Sequence, residues 1–311
     1  DIAVDGFYML ALEPYQQAAF SGVRSTFYRI ATIVGSGLLV MFAGRIETSS
    51  GGNIALAWSM TFGILAGIFI LLFAYHRIIL PYPPEDKPTL ADKSKSVWKE
   101  FVGTFAIFFK KKDIVRILFF LLFYRFAEAQ LVKLVSPFLL DPRDKGGLGL
   151  STSDVGIVYG TVGIIALLSG GLLGGYAISR KGLKYWLWIM VFSIHIPDVM
   201  FIYLSQVQPE NFILINIAVA LEQFGYGFGF TAYMLYMLMV SQGDHKTAHY
   251  AICTGIMALG MMIPGLFSGY IQEWVGYKSF FLWVFLATIP GFIVAATAKI
   301  DPLFGKKVAQ A

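Results

Sequence analysis

Long apolar runs separated by short polar loops dominate the chain. A helix needs about 20 mostly apolar residues to cross the hydrocarbon of a bilayer, and eight runs reach that length. They are residues 25–44, 54–74, 114–140, 154–178, 186–205, 212–240, 251–271 and 279–298. A ninth run, residues 1–12, is long enough only for the last half of such a helix. No run alternates as a membrane barrel strand does, so the pattern predicts an all-α polytopic membrane protein.

One polar loop, residues 75–113, is much longer than the others and is rich in Pro, Lys and Asp. It divides the chain into four predicted segments: spans within 1–74, the loop at 75–113, six spans within 114–298, and a tail at 299–311. Apolar residues recur at helical spacing from Val97 to Lys112. This spacing predicts an amphipathic helix in the membrane interface. The alternative is a simple extension of the following span.

Composition agrees with a membrane protein and excludes several other classes. Apolar residues make up 57% of the 311, charged residues 14%, and the mean hydropathy is +0.68, whereas soluble domains carry roughly 25% charged residues. A single cysteine, Cys253, excludes a disulfide framework within the chain. The four histidines are scattered and predict no metal site. Neither a phosphate-binding loop nor a hydrolase nucleophile motif occurs, which argues against an enzyme.

The distribution of basic residues predicts the orientation of the spans. If the spans alternate, 16 Lys and Arg residues fall on the side of residues 75–113 and the C-terminus, against four on the other side. Cytoplasmic loops of membrane proteins carry this excess of positive charge. The pattern therefore places the central loop and the C-terminus in the cytoplasm. It also accounts for the net charge of +5 without a nucleic-acid partner.

A glycine-rich basic loop follows the second of the six C-terminal spans. Residues 174–184 read GGYAISRKGLK. This segment resembles the loop signature of major facilitator transporters at Gly175, Arg180, Gly182 and Lys184, with Ser179 where that family usually has Asp. Such transporters consist of two six-helix halves joined by a long loop. The resemblance implies a partial major facilitator fold with about nine of twelve membrane helices, the first incomplete, and gives these four residues a gating role.

Charged residues inside predicted spans are the best indication of function, because each is costly unless it faces a partner or water. On a helical wheel, one broad polar face of the 114–140 span contains Arg125, Glu128 and Lys133. The other candidates are polar or charged residues near or inside spans: Asp1, Asp5, Arg29, Tyr124, Gln130, Glu222 and Gln223. The carboxylates either couple protons or only neutralise the cations. His195 and Asp198 flank Pro197 and are interpreted as an internal pair or as repair of a helix break.

Several longer segments are similar to AmpG-like muropeptide permeases of the Bacteroidetes type. They read DIAVDGFYMLAL, YRFAEAQLVKLVSPFLLDP, ALEQFGYGFGFTAYMLYM and HKTAHYAICTGIMALGMMIPG. The resemblance covers essentially the whole chain except the first three helices of the family. It aligns Asp1 and Asp5 with the family's Asp-x-x-x-Asp pair, and Tyr28 and Arg29 with its Tyr-Arg pair.

This resemblance implies a bacterial inner-membrane importer of anhydro-muropeptides for cell-wall recycling, driven by the proton gradient and without a cofactor. The expected proton-coupling residues are Asp1, Asp5, Glu128 and Glu222. The expected substrate-binding residues are Tyr28, Arg29, Tyr124, Arg125, Gln130, Lys133 and Gln223. The expected partners are an anionic small molecule and the lipid bilayer, with no obligate protein partner. The alternatives are transport of another anionic sugar, peptide or acetyl-coenzyme A-like solute, and a receptor or scaffold that does not transport.

Overall fold

The computed structural model describes residues 2–83 and 97–307, and it contains helices and no strand within those residues. The all-α prediction is therefore confirmed for the described chain. The described residues form two compact units, residues 2–23 with 97–307 and residues 24–83. The division predicted at residues 1–74 and 114–298 stays a prediction.

The helices follow one another through both units, in several places with hardly a loop between them. In chain order they are α1 (Ile2–Ala11), α2 (Pro14–Ile33), α3 (Leu39–Ser49), α4 (Ile54–Ile79), α5 (Val97–Phe109), α6 (Ile114–Phe123), α7 (Phe126–Leu140), α8 (Thr152–Val155), α9 (Ile164–Lys181), α10 (Leu183–His195), α11 (Val199–Val207), α12 (Phe212–Ser241), α13 (Lys246–Leu286) and α14 (Ile289–Thr297). The π-helical segments Val34–Leu38 and Gly156–Gly163 connect α2 to α3 and α8 to α9. The 3-10 turn Ile196–Asp198 connects α10 to α11.

Within the described residues, five helical stretches are long and apolar enough to cross a membrane by length and composition. They are Ile54–Ile79, Thr152–Lys181, Leu183–Val207, Phe212–Ser241 and Lys246–Thr297. The last stretch combines two of the eight predicted spans, and it runs through the predicted loop at 272–278. A kink replaces that loop, because Gly276 has φ 73° and ψ 164°, a conformation that only glycine adopts readily.

Two other predicted loops are shorter than the hydropathy pattern indicated. The loop at 13–24 is wrong because α2 already begins at Pro14, and proline fits the first position of a helix, where its missing N–H is not needed. The loop at 179–185 is reduced to Gly182, which has φ 85° and separates α9 from α10. Polar residues on these helix ends had been interpreted as loop.

The continuous helix predicted at 114–140 is interrupted after Phe123. Arg125 leaves the helical region with φ −113° and ψ 21°, and α7 begins one residue later. Tyr124 and Arg125, the two residues between α6 and α7, both hydrogen-bond to α12 through their side chains. The Tyr124 hydroxyl donates to the Gly229 carbonyl at 3.0 Å, and the Arg125 guanidinium donates to the Tyr226 hydroxyl.

Helix α12 lies at the centre of the first unit, and its glycines allow close packing. A Cβ atom on Gly225 would lie 1.9 Å from the Ser193 carbonyl oxygen of α10. A Cβ atom on Gly227 would lie 2.1 Å from the Leu167 carbonyl oxygen of α9. Small residues permit such an approach between membrane helices. The glycines of α12 therefore permit close contact with both α9 and α10.

The C-terminal residues 301–307 fold back onto the start of α10. The Leu183 amide donates to the Phe304 carbonyl at 3.0 Å, and the Lys307 amide donates to the Ser179 carbonyl at 3.0 Å. Phe304 is buried in the same core as α12. Residues 301–307 of the predicted tail therefore pack against the glycine-rich basic loop.

The second unit exposes most of its large apolar side chains. Its helices α3 and α4 pack together, yet Leu71 and Ile78 are 72% and 84% exposed. Exposed apolar surface on this scale is typical of a face that contacts lipid or another apolar partner. In the first unit, the segment predicted as an amphipathic helix from Val97 forms helix α5, which exposes Trp98 and buries Phe108 against α13. Its place in an interface stays a prediction.

Candidate functional site

Three buried carboxyl groups from three elements lie within electrostatic range of one another. Glu128 is in the first turn of α7, Glu222 is in the middle of α12, and Asp198 ends the 3-10 turn after α10. Each is 1% exposed. Glu222 interacts electrostatically with Glu128, and Asp198 interacts with both. We call these residues the carboxyl cluster.

Two neutral polar side chains border the carboxyl cluster. Gln223, only 5% exposed, donates from Nε2 to Oε2 of Glu222 at 2.9 Å. Tyr159, on the π-helical segment before α9, is half-buried beside Gln223 and within electrostatic range of Glu222 and Glu128. Gln223 was predicted from the sequence as a substrate ligand. Tyr159 was missed, because nothing in its local sequence distinguishes it from an ordinary aromatic residue of a membrane helix.

The side chain of Arg125, which lies between α6 and α7, contacts three aromatic rings of α12. Its guanidinium carbon is 5.1 Å from the ring centroid of Tyr226, 4.6 Å from that of Phe230 and 6.0 Å from that of Tyr233. Within the described residues, no carboxylate lies within ion-pairing distance of this guanidinium, and its Nε has no hydrogen-bond partner. Cation–π contacts stabilise the charge without neutralising it. Arg125 therefore keeps a net positive charge available to an anion.

Tyr124 and Gln130 were predicted as ligands, but both are engaged in packing between helices. The Tyr124 ring is completely buried, and its hydroxyl donates a hydrogen bond to the Gly229 carbonyl of α12. The Gln130 carbonyl accepts from Nε1 of Trp283 on α13 at 2.7 Å, and its amide donates to the Phe126 carbonyl at 3.2 Å. In this conformation the contacts of both side chains are structural.

Lys133 does not share the surroundings of Arg125 and Glu128. It is exposed, and it lines an open groove of about 630 Å³ between α7 and α13. The other lining residues are mostly apolar, among them Pro137, Met262 and Leu266. The wheel that placed Arg125, Glu128 and Lys133 on one face assumed an unbroken helix. The helix break at Arg125 changes the angle between Arg125 and the other two residues, Glu128 and Lys133.

The predicted residues near the N-terminus are spread over both units. Asp1 lies outside the described residues. Asp5 is buried on α1, which packs against α13 through Gly6 and Thr247. In the second unit, Tyr28 is 68% exposed and Arg29 is half-buried. Their roles in transport stay predictions.

The four predicted gating residues differ in their surroundings. Gly175 packs against α2, where a Cβ atom would lie 2.6 Å from the Ala18 carbonyl oxygen, and Gly182 faces the carbonyl groups of the C-terminal segment. Arg180 and Lys184 are exposed, and the Arg180 guanidinium lies 5.1 Å from the Tyr176 ring centroid. The glycines permit close contacts here, which supports a structural role for them. A gating role stays a prediction.

The interpretation of His195 and Asp198 as an internal pair is wrong. Neither residue hydrogen-bonds to the other, and both Asp198 oxygens are buried without a hydrogen-bond partner in the described chain. The His195 ring instead lies between Tyr124 and Phe292. From the sequence, Asp198 was interpreted only as half of an internal pair or as repair of a helix break. A buried carboxylate inside a predicted span was the signal that could have identified it.

Comparisons with known proteins give consistent results. Residues 9–243, more than half of the chain, match the family model described as Major Facilitator Superfamily. A Rickettsia conorii protein that carries the name transporter AmpG 4 is 26% identical over 301 residues, which cover 94% of this chain and 67% of the relative. The Escherichia coli anhydromuropeptide permease is 22% identical over 299 residues, which cover 96% of this chain and 57% of the relative.

Proposed function

Because the chain belongs to the Major Facilitator Superfamily, we propose that the protein imports anhydromuropeptides together with protons. The family consists of transporters, and the matched helices make the protein a multi-pass membrane protein. The chain spans about two thirds of the length of the Rickettsia conorii relative and 57% of the Escherichia coli one. The proposed activity therefore concerns the full-length protein in a bacterial inner membrane, with the central loop and the C-terminus in the cytoplasm.

The observation that carries the proposal is Arg125, which has no carboxylate partner within the described residues. A guanidinium surrounded by three rings offers its remaining donors to an anionic group in a fixed geometry, and arginine binds carboxylates well through paired hydrogen bonds. Anhydromuropeptides combine sugar rings with carboxylates. The aromatic residues beside Arg125 provide apolar faces for such rings. The name of the Escherichia coli relative supports this substrate class.

The proton-coupling part of the proposal is supported by the buried carboxyl groups Glu128 and Glu222. Full negative charges cost much free energy inside a membrane domain unless each has a cation or several donors. Such groups take up protons and release them when their surroundings open. Asp1 and Asp5 are further proton-coupling candidates, carried over from the AmpG-like family.

Uptake by the full-length protein in proteoliposomes tests both parts of the proposal. Labelled anhydromuropeptide should accumulate when an inward proton gradient is imposed, and a protonophore should abolish the accumulation. Arg125→Gln should lower uptake by about 10- to 100-fold, because a charge-assisted hydrogen bond contributes about 1.5–3 kcal/mol. Arg45→Gln is the matched control. Arg45 is exposed in the second unit, and its change should leave uptake unaltered.

The outcomes separate the alternatives. Uptake that resists the protonophore would contradict proton coupling but would still support import of anhydromuropeptides. Competition by acetyl-coenzyme A or simple anionic sugars, with no uptake of anhydromuropeptide, would assign a different substrate. Binding of anhydromuropeptide without any uptake by the full-length protein would identify a receptor rather than a transporter.

A further inference from the structure

Asp198 is a buried acidic side chain whose surroundings do not suit a permanent negative charge. It is 1% exposed, and neither of its oxygens has a hydrogen-bond partner in the described chain. Among the described residues, the charged groups within electrostatic range of Asp198 are Glu128 and Glu222, both acidic. An ionised carboxylate here would lack donors and be repelled by any negative charge on Glu128 or Glu222.

We propose that Asp198 binds a proton and, with Glu128 and Glu222, forms a single proton-exchange site between α7, α12 and the 3-10 turn. This inference rests on the proposed proton-coupled transport and extends it to Asp198, which was not among the proton-coupling residues expected from the sequence. One oxygen of a carboxylate takes up one proton to give a neutral carboxyl group, and that group returns the same proton on release. The balance needs no other reactant.

The spacing of the carboxyl cluster favours a proton over a metal ion. Among the residues that the structure describes, no group of three or more His, Cys, Asp or Glu side chains could hold a metal ion together. A proton needs only one oxygen at a time, so it can reside on Asp198 at rest and pass to another member of the cluster during transport. Groups that interact in this way titrate as one unit rather than as separate residues.

Within the described residues, no other side chain supplies a positive charge to Asp198. Tyr159 and Gln223 contribute a hydroxyl and an amide beside Glu222. His195, one turn before Asp198, is buried against aromatic rings and makes no hydrogen bond to it. Arg125 contacts the rings of α12. No basic side chain in the described residues forms an ion pair with Asp198, so its negative charge is left unbalanced.

The position of Asp198 also provides a means of release. It ends a short 3-10 turn where α10 passes into α11, directly after Pro197. Interrupted helices of this kind form the substrate and coupling-ion sites of many membrane transporters. A change in the angle between α10 and α11 would alter the distance from Asp198 to Glu222. It would also alter the repulsion that retains the proton.

Infrared difference spectroscopy of the purified full-length protein tests the site without relying on transport. At neutral pH the wild type should show the carbonyl stretch of a buried protonated carboxyl group, and Asp198→Asn should remove that band. Asp144→Asn is the control, because Asp144 is an exposed carboxylate in a short 3-10 turn after α7. A band that persists unchanged in Asp198→Asn would overturn the inference.

Transport measurements then separate this inference from the proposed function. Asp198→Asn should lose accumulation driven by a proton gradient but retain exchange of substrate across the membrane at equal concentrations. Asp198→Glu, which keeps a carboxyl group, should restore part of the accumulation. Normal accumulation by Asp198→Asn would contradict the inference alone. A wild type that transports no anhydromuropeptide would contradict the proposed function, and the infrared result would still decide the proton site.

Discussion

Replacing Gly227 by alanine should separate two helices whose backbones are in contact. The added Cβ atom would lie 2.1 Å from the Leu167 carbonyl oxygen, 2.9 Å from the Leu167 carbonyl carbon and 3.0 Å from the Gly171 nitrogen. Ordinary contact begins at 3.4 Å, so α9 and α12 must move apart by roughly 1 Å in a tightly packed interior. All three atoms belong to the backbone, so no flexible side chain can relieve the overlap. Overpacking of this kind costs about 1–3 kcal/mol.

The matched control is Gly255→Ala on α13. A Cβ atom at Gly255 meets nothing within 4 Å, and alanine favours a helix over glycine by about 0.8–1.0 kcal/mol. The two substitutions make the same chemical change with opposite expected signs. Thermal unfolding in detergent should therefore show a lower melting temperature for Gly227→Ala and an equal or higher one for Gly255→Ala. Equal melting temperatures for the two variants would refute the packing argument.

Two further predictions concern the ends of the helices in the first unit. Hydrogen bonding from Lys299 holds the pKa of Asp113 below its usual range. The ionised Asp113 therefore stabilises the folded protein above the unfolded pKa of about 3.9. This stabilisation is lost as pH falls through the pKa of Asp113 in the folded state. Asp113→Asn should lower the melting temperature at neutral pH, with the difference vanishing in acid; a difference independent of pH would contradict the ion-pair account. Phe304→Ala should cost about 3–5 kcal/mol, whereas Leu303→Ala, at a side chain 61% exposed, should cost little; similar melting temperatures would show that the C-terminal segment does not stabilise the fold.

Hydropathy predicted the helices of this chain well and their interruptions poorly. Apolar length identifies a span regardless of local backbone angles, so residues 114–140 read as one helix although Arg125 lies outside the helical region. The same limitation produced a loop at residues 272–278, where a single glycine bends a continuous helix. Tertiary anchors such as the hydrogen bond from Tyr124 to Gly229 join residues more than a hundred positions apart. No local pattern contains such a contact.

The candidate site was predicted in part, and its misses have a common cause. Glu128, Glu222 and Gln223 were identified because charged or amide groups inside a span are costly, and all three are buried together. Gln130 satisfied the same criterion, yet it is taken up by Trp283. Polarity in a span indicates that a residue needs a partner. It does not indicate whether that partner is a substrate or another helix.

The break before α7 gives the carboxyl cluster an asymmetry that an unbroken helix would not provide. Because α7 begins at Phe126, Glu128 occupies its first turn, where unpaired backbone N–H groups and the helix dipole favour a negative charge by about 0.3–1 kcal/mol. Glu222 accepts a hydrogen bond from Gln223, whereas Asp198 accepts none within the described residues. The helix N-terminus favours the charged form of Glu128 and the Gln223 amide favours that of Glu222, whereas Asp198 has neither contact, so a proton should reside on Asp198 in preference to Glu128. Glu128→Gln should accordingly leave intact the infrared band that Asp198→Asn removes, and loss of the band in both variants would show that the helix break does not set the order of protonation.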